Sequence, residues 1–442
     1  MQRKTSTMNI NEAARILVLD PIHGAEVIAD ELKALGKAVQ VFNPYSNSSL
    51  DQSESHNYDL VIAPVHLNPN FEIVKHALED DIPFMSHHEA VKELAAINNL
   101  FAGIKVLEVT GTVRKTSVCE LMCQLVKNNK VLSHTSSITR FKSPENEILF
   151  PRLGSTPANV LKVMEIARGK NLKPDIAVFE ISLGLTGIGD VAVITSLEED
   201  YKVAGGTKDA VEVKKASLRN YAGKDRSVVV HPGLLLSDLN VSGNTYGAKD
   251  KTLWIEDTKV IFDGVRTING ASISGEIAFA PIESYVATDY YRGCLEAAFC
   301  AVLSLGIPPE ELNIEDLAPV KGRLKLEKIK GRVLIDNSNS GTKLKFLAEI
   351  TELARRISEQ MVLIVGVESQ YVCEGMDLDE LKEVVKNGVS DFVEILIVGE
   401  EFKGKIAGKN VFFTDSLDMA LEKAIADSDE GSVIISNVKT WR

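Results

Sequence analysis

The segment "VLEVTGTVRKTSVCELMCQLVKNN", Val106 to Asn129, constrains the fold more than any other part of the chain. Its first residues are apolar and suit a buried strand, and Gly111 marks a turn. Val118, Leu121, Met122, Leu125 and Val126 then recur at i, i+3, i+4, i+7 and i+8, the spacing of one helical face. Strand, glycine turn, Lys115-Thr116 and helix is the layout of a phosphate-binding loop, in which backbone amides at a helix start face an anion. One position departs from it: Arg114 stands where such a loop has glycine before the lysine. The backbone there must either take a negative φ or hold arginine in a costly left-handed conformation.

The pattern on either side is α/β. At 442 residues the chain is long enough for about three domains. In residues 1–102 short apolar runs ("RILVLD", "AVQVF", "YDLVIAP") alternate with helical patterns ("AEVIADELKALG", "FEIVKHALEDD"), which predicts a Rossmann-like parallel sheet with flanking helices. Residues 103–317 hold the P-loop in a central ATPase-type parallel or mixed sheet. Residues 318–442 return to alternation ("VLIDNS", "MVLIVGV", "VEILIVGE", "SVIISNV") and predict a second Rossmann-like domain, with "KGRLK" at Lys321–Lys325 as a hinge.

Composition excludes several classes. A net charge of −13 with no basic block argues against a nucleic-acid partner. No apolar run is long enough for a bilayer, and "MQRKTSTMNINEAARILVLD" lacks the apolar core of a secretion signal, so the expectation is a cytoplasmic protein with no membrane partner. Five cysteines without a C-x-x-C pair suggest neither a disulfide framework nor a zinc ribbon. Cys119 and Cys123, four apart on the P-loop helix, read as small buried side chains.

Candidate chemistry lies at strand ends. Glu180 closes the apolar run Ile176–Phe179 and Asp200 follows Val191–Thr195; carboxylates there can hold Mg²⁺, a hard cation that bridges phosphates. His23 lies in the loop after the first strand, where open α/β sheets bind ligands, and reads either as a substrate contact or as an ordinary loop histidine. His87 and His88 are adjacent and therefore poorly placed to share a metal; Ser86 with Glu89 reads instead as a capping box opening a helix.

"GTVRKTS", "GSTPANVL", "FEIS", "TSLEEDY", "VKKASL", "GR" and "LIDNSNSG" follow one another in the order and rough spacing of the Mur ligase motifs, and by these seven the chain resembles that family of three-domain, ATP-dependent carboxylate ligases. The resemblance implies ATP and Mg²⁺ as cofactors. It places Lys115 on the β/γ-phosphates and Thr116 and Glu180 on Mg²⁺, with Gly111, Thr112, Val113, Arg114 and Ser117 completing the phosphate loop. It matches Lys215 to a lysine that many members carbamylate to hold a second Mg²⁺, Arg323 to an arginine brought against the phosphates, and Asp336 and Asn337 to the nucleotide-contacting stretch. Thr156, in "STP", falls where relatives contact substrate or phosphate.

Departures are equally specific: Arg114 for glycine, Tyr201 for a metal-binding histidine, Cys294 for an adenine-contacting asparagine, and "DNSNSGT" for the D-D-Y-A-H-N-P stretch. The branch that the chain is most similar to is the coenzyme F(430) synthetases. The implied reaction activates a propionate of a nickel-bound seco-tetrapyrrole, which a ring carbon then attacks to close a carbocycle. A polycarboxylate of that kind needs cations and donors, and "HTSSITRFK" offers His134 and Arg140, with His23 and Thr156, as substrate contacts. An amide-forming ligase of the pseudomurein or polyglutamate type, or a nucleotide-binding relative without catalysis, would share most of these motifs. No His/Cys cluster evident in the sequence offers a nickel site of the protein's own, so nickel is expected to belong to the substrate.

Overall fold

In a computed structural model, the structure describes residues 8–46, 57–198, 200–221, 227–230, 243–368, 375–388 and 390–440. Their strands build three α/β sheets in succession, of four, eight and six strands, with a small antiparallel meander between the second and third.

The first sheet is parallel, in the order Ala38–Phe42, Arg15–Leu19, Leu60–Ala63, Phe84–Ser86. The two central strands, Arg15–Leu19 after its first residue and Leu60–Ala63, read as apolar runs because both faces are covered. Alternate residues of one strand serve different cores. Ile16 and Val18 pack with helices Ala25–Ala34 and His87–Ile97, whereas Leu17 and Leu19 pack with Val74 and Ala77 of helix Glu72–Glu79. Ser86 accepts from the Glu89 amide while the Glu89 carboxylate accepts from the Ser86 amide, the capping box expected from sequence.

The eight-stranded sheet carries the P-loop strand, Lys105–Thr110, near its middle, flanked by Ile176–Glu180 and Val191–Ile194. Both neighbours are parallel to it, so Thr110, Glu180 and Ile194 finish at the same edge. Val131–His134 continues the parallel order, and Thr139–Lys142 and Glu147–Leu149 add two antiparallel strands. The apolar face of helix Ala158–Gly169 joins this sheet's core to that of the first: Ala158, Leu161 and Ala167 share a cluster with Ile28, Leu94 and Phe179.

The meander Leu253–Glu256, Lys259–Arg266, Ser272–Ala278 has alternating burial and was not expected from the sequence. In the six-stranded sheet, Lys325–Ile329 pairs antiparallel with Arg332–Asp336 across a two-residue turn; Lys330 and Gly331 both take positive φ there, as such hairpins require. Val433–Lys439, Met361–Val367, Glu394–Val398 and Val411–Thr414 complete it in parallel.

Compactness groups the chain differently from the boundaries 102/103 and 317/318. One unit runs to Ala278 and includes Glu296–Ile314; the other takes Phe279–Leu295 and everything from Glu315. Phe279–Leu295 goes with the second because its tyrosines are used there: Tyr285 Oη accepts from the Val320 amide at 3.0 Å, and Tyr291 Oη donates to Asn337. No helix among the described residues is long and apolar enough to cross a membrane.

Candidate active site

The phosphate loop is built as its sequence requires, with one strained residue. Gly111 has φ 151°, and a Cβ on it would lie 2.2 Å from Thr195 Oγ1, so only glycine fits. Thr112 is held by its amide, 2.9 Å from the Ser196 carbonyl, and the Val113 carbonyl accepts from Thr195 Oγ1. Arg114 then takes φ 73° as the residue before helix Lys115–Leu125. The costly alternative for arginine is therefore the one realised. Lys115 Nζ donates to the Gly111 carbonyl at 3.1 Å, folded back over its own loop. Ser117 Oγ is buried without a hydrogen-bond partner.

Thr116 and Glu180 meet at this helix start. Thr116 Oγ1 donates to the Glu180 carboxylate at 2.8 Å, and the Ser136 amide donates to the same oxygen at 3.2 Å. Parallel pairing explains the meeting: Val109 is in register with Glu180, one residue short of the loop. Both side chains are buried, which removes competing water. Two oxygens bound to one octahedral Mg²⁺ at about 2.1 Å stand about 3.0 Å apart, so the pair is spaced for that ion once the Thr116 hydroxyl proton turns away from Glu180.

From Glu180 the chain leads toward the first sheet. Ser182 donates its amide to the Ser155 carbonyl at 2.8 Å, and the two hydroxyls lie 2.7 Å apart. Thr156 follows, its Oγ1 buried and without a partner. The loop after the first strand packs on this segment through Gly24: with φ 102°, its missing Cβ would sit 2.5 Å from Ala158 Cβ. His23 is in that loop, its Nδ1 2.7 Å from Asp20 Oδ2, with His66 Nε2 3.3 Å away. Burial pushes the Asp20 carboxyl upward, but hydrogen bonds from His23 and His66 outweigh it and hold the group well below the usual carboxylate range. Beside these loops a cleft of about 560 Å³ is lined by Val65, Ser86, His88, Leu183, Lys208 and Glu212. That volume is in the range of small-molecule sites.

Other expected residues are placed elsewhere. Buried His134 uses both ring nitrogens, on Thr139 Oγ1 at 2.8 Å and the Gly154 carbonyl at 3.1 Å. Arg140 is held between Glu120 and Glu147, its charge already matched inside the fold. "HTSSITRFK" thus spans two paired strands and the turn that joins them. Lys215 Nζ is 2.9 Å from Glu212 on the outer face of helix Ala210–Ser217. Its neighbour Lys214 is the buried lysine, 1% exposed, with Nζ 3.3 Å from Tyr201 Oη. Tyr201, standing at the family's histidine position, thus contacts Lys214.

In the second unit, Arg323 Nη1 donates to Asn339 Oδ1 at 3.0 Å. Asp336 is buried and accepts from the Ser338 amide at 3.1 Å. Asn337, expected to contact the nucleotide, donates its amide to Thr342 at 3.0 Å and Asn437 at 2.7 Å, and its oxygen accepts from Tyr291. Cys294 is buried, as are Cys119 and Cys123, and burial pushes the Cys123 thiol up to about 12.

Sequence reasoning missed His66, Ser182 and Lys214. His66 had a usable signal: it lies just beyond an apolar strand that pairs with the strand ending at Asp20.

Residues 326–440 match the family model described as coenzyme F430 synthetase CfbE, C-terminal domain. A coenzyme F(430) synthetase from Methanosarcina acetivorans is 27% identical, over 97% of this chain and 99% of its own length. One from Methanocaldococcus jannaschii is 24% identical over 92% and 98%. Among solved structures, a MurF ligase from Thermotoga maritima in complex with ADP superimposes with a TM-score of 0.52 at 13% identity, over 97% of this chain and 92% of that one.

Proposed function

Taking as premise that the chain is a homologue of coenzyme F(430) synthetases with the fold of the Mur ligases, we propose that the protein is an ATP-dependent ligase. It activates a substrate carboxylate as an acyl phosphate and releases ADP. The observation that carries this reading is the buried pair Thr116–Glu180, joined at 2.8 Å beside Lys115 at a helix start. A structural role alone does not require a lysine, a hydroxyl and a carboxylate to share that point.

A carboxylate is a poor acylating agent because its leaving group would be oxide. Attack of a carboxylate oxygen on the γ-phosphorus of ATP, with ADP leaving, provides phosphate as the leaving group instead. Bound Mg²⁺ would neutralise charge on the phosphate oxygens. Thr116 and Glu180 are the residues to hold it. Backbone amides from Gly111 to Lys115, at the positive end of the helix, cradle the phosphates. Lys115 turns from the Gly111 carbonyl to the β/γ-oxygens, where its charge stabilises the transition state. Thr156 Oγ1, buried and free to donate, is positioned for the substrate or the transferring phosphoryl group. Arg323 is assigned to the phosphates by sequence resemblance.

In the finer reading the substrate is a nickel seco-tetrapyrrole. One propionate is activated; a ring carbon loses a proton, attacks the acyl carbon and expels phosphate, forming a C–C bond and a six-membered carbocycle. The cleft beside His88 and Lys208 is the candidate pocket. ADP release from the purified protein should depend on the nickel precursor and need no amine, and Lys115→Ala should lower it about a hundredfold or more with the fold intact. Near wild-type turnover in Lys115→Ala contradicts the P-loop assignment. ADP release that requires an added amine replaces C–C bond formation with amide synthesis.

A further inference from the structure

Asp20, His23 and His66 form a cluster that the proposed ligase chemistry does not use. They come from loops after two neighbouring parallel strands, Arg15–Leu19 and Leu60–Ala63, and meet at the carboxyl edge of the first sheet. His23 Nδ1 is 2.7 Å from Asp20 Oδ2, His66 Nε2 is 3.3 Å from His23 Nδ1, and His66 Nε2 is 3.6 Å from Asp20 Oδ2. Tyr45, from the loop after a third parallel strand, donates its hydroxyl to the same oxygen at 3.1 Å. The two imidazoles are edge to face, 82° apart.

We propose that these residues bind one divalent transition-metal ion, with Asp20 Oδ2, His23 Nδ1 and His66 Nε2 as ligands and a fourth, exchangeable position. Ligand atoms about 2.1 Å from a tetrahedral ion stand about 3.3 Å from one another. Two of the three separations lie close to that value, and the third shortens because His23 Nδ1 carries a proton shared with Asp20. An entering ion takes the Nδ1 lone pair, and the His23 ring proton moves to Nε2. Asp20 is fully buried, Tyr45 fixes its Oδ2 by a hydrogen bond, and the partly exposed histidines leave an entry path. Two imidazoles with one carboxylate favour Zn²⁺, Co²⁺ or Ni²⁺ over Mg²⁺.

A bare ion fits better than a metal already held by a macrocycle. Four ring nitrogens leave at most two axial positions, whereas three protein groups converge here. The proposal goes beyond the ligase reading and stands or falls separately from it.

The test is equilibrium dialysis of chelator-stripped, full-length protein against Co²⁺ or Zn²⁺ in excess Mg²⁺, with the Co²⁺ visible spectrum as a second readout. Wild type should take up one ion per chain, and Co²⁺ should give the intense ligand-field bands of a low-coordinate site. His23→Ala and His66→Gln should each abolish both signals, while Glu180→Gln retains them. No saturable uptake by wild type, or unchanged spectra in the folded histidine variants, overturns the proposal. X-ray absorption of Zn²⁺-loaded wild type decides independently of variant folding: two imidazoles in the first shell support the site, and one or none overturns it.

Discussion

Arg114 shows how much a single residue can carry. At φ 73° it occupies the left-handed region where related loops have glycine, which for arginine costs about 1–2 kcal/mol. Arg114→Gly removes that strain but adds about 0.5–1 kcal/mol of unfolded-state entropy. Its unfolding free energy should therefore equal or exceed wild type, whereas Arg114→Ala keeps the strain and should be the less stable of the two. Denaturant unfolding of the three proteins checks this, and an Arg114→Gly protein weaker than Arg114→Ala contradicts it. Lys115, Thr116 and Glu180 were legible at this scale because each sits at a strand end or helix start that local pattern fixes. The partners of His134 and Arg140 were not legible for the opposite reason: that a polar side chain meets a buried partner such as Glu120 depends on strand pairing that the local sequence does not state. Between Lys214 and Lys215, motif spacing chose the latter; helix phase decides which is buried.

The helix His87–Ile97 makes the corresponding case for an element. Its capping box was legible in Ser86 and Glu89, but the work of its first two residues was not. His87 donates to the Leu19 carbonyl and His88 to the Ser182 carbonyl, both at 3.0 Å, so this helix start ties the first sheet to the loop after Glu180. Burial pulls His87 down to about 3 and His88 down to about 4, from an ordinary 6.5. Between pH 6.5 and about 4 the unfolded chain binds protons that the folded chain refuses, so their contribution is whole above 6.5 and is lost as pH falls through that window. The melting temperature should drop on acidification from neutrality, and less so in His88→Gln. A pH-independent melting temperature, or an equal drop in the variant, contradicts this. Strands with continuous apolar runs were equally legible. The meander Leu253–Ala278 was not, because its half-exposed alternation resembles polar loop sequence.

For the whole molecule, the order of motifs announced the architecture of three α/β sheets, since each motif marks a strand end and the spacing counts the elements between. Two things escaped it. The division into compact units falls inside the helix Asp289–Ser304, where no change in composition signals a boundary. The Asp20–His23–His66 cluster exists only because strand order places two distant loops side by side. With a net charge of −13, the proposed polycarboxylate would have to be received through local donors rather than the overall field. Phosphorylation of a substrate carboxylate by ATP can be followed by isotope transfer. With the reacting carboxylate labelled with oxygen-18 and turnover run with ATP and Mg²⁺, the account predicts ADP as the nucleotide product and one labelled oxygen in the inorganic phosphate released. Unlabelled phosphate, or AMP with labelled oxygen on it, would contradict the account.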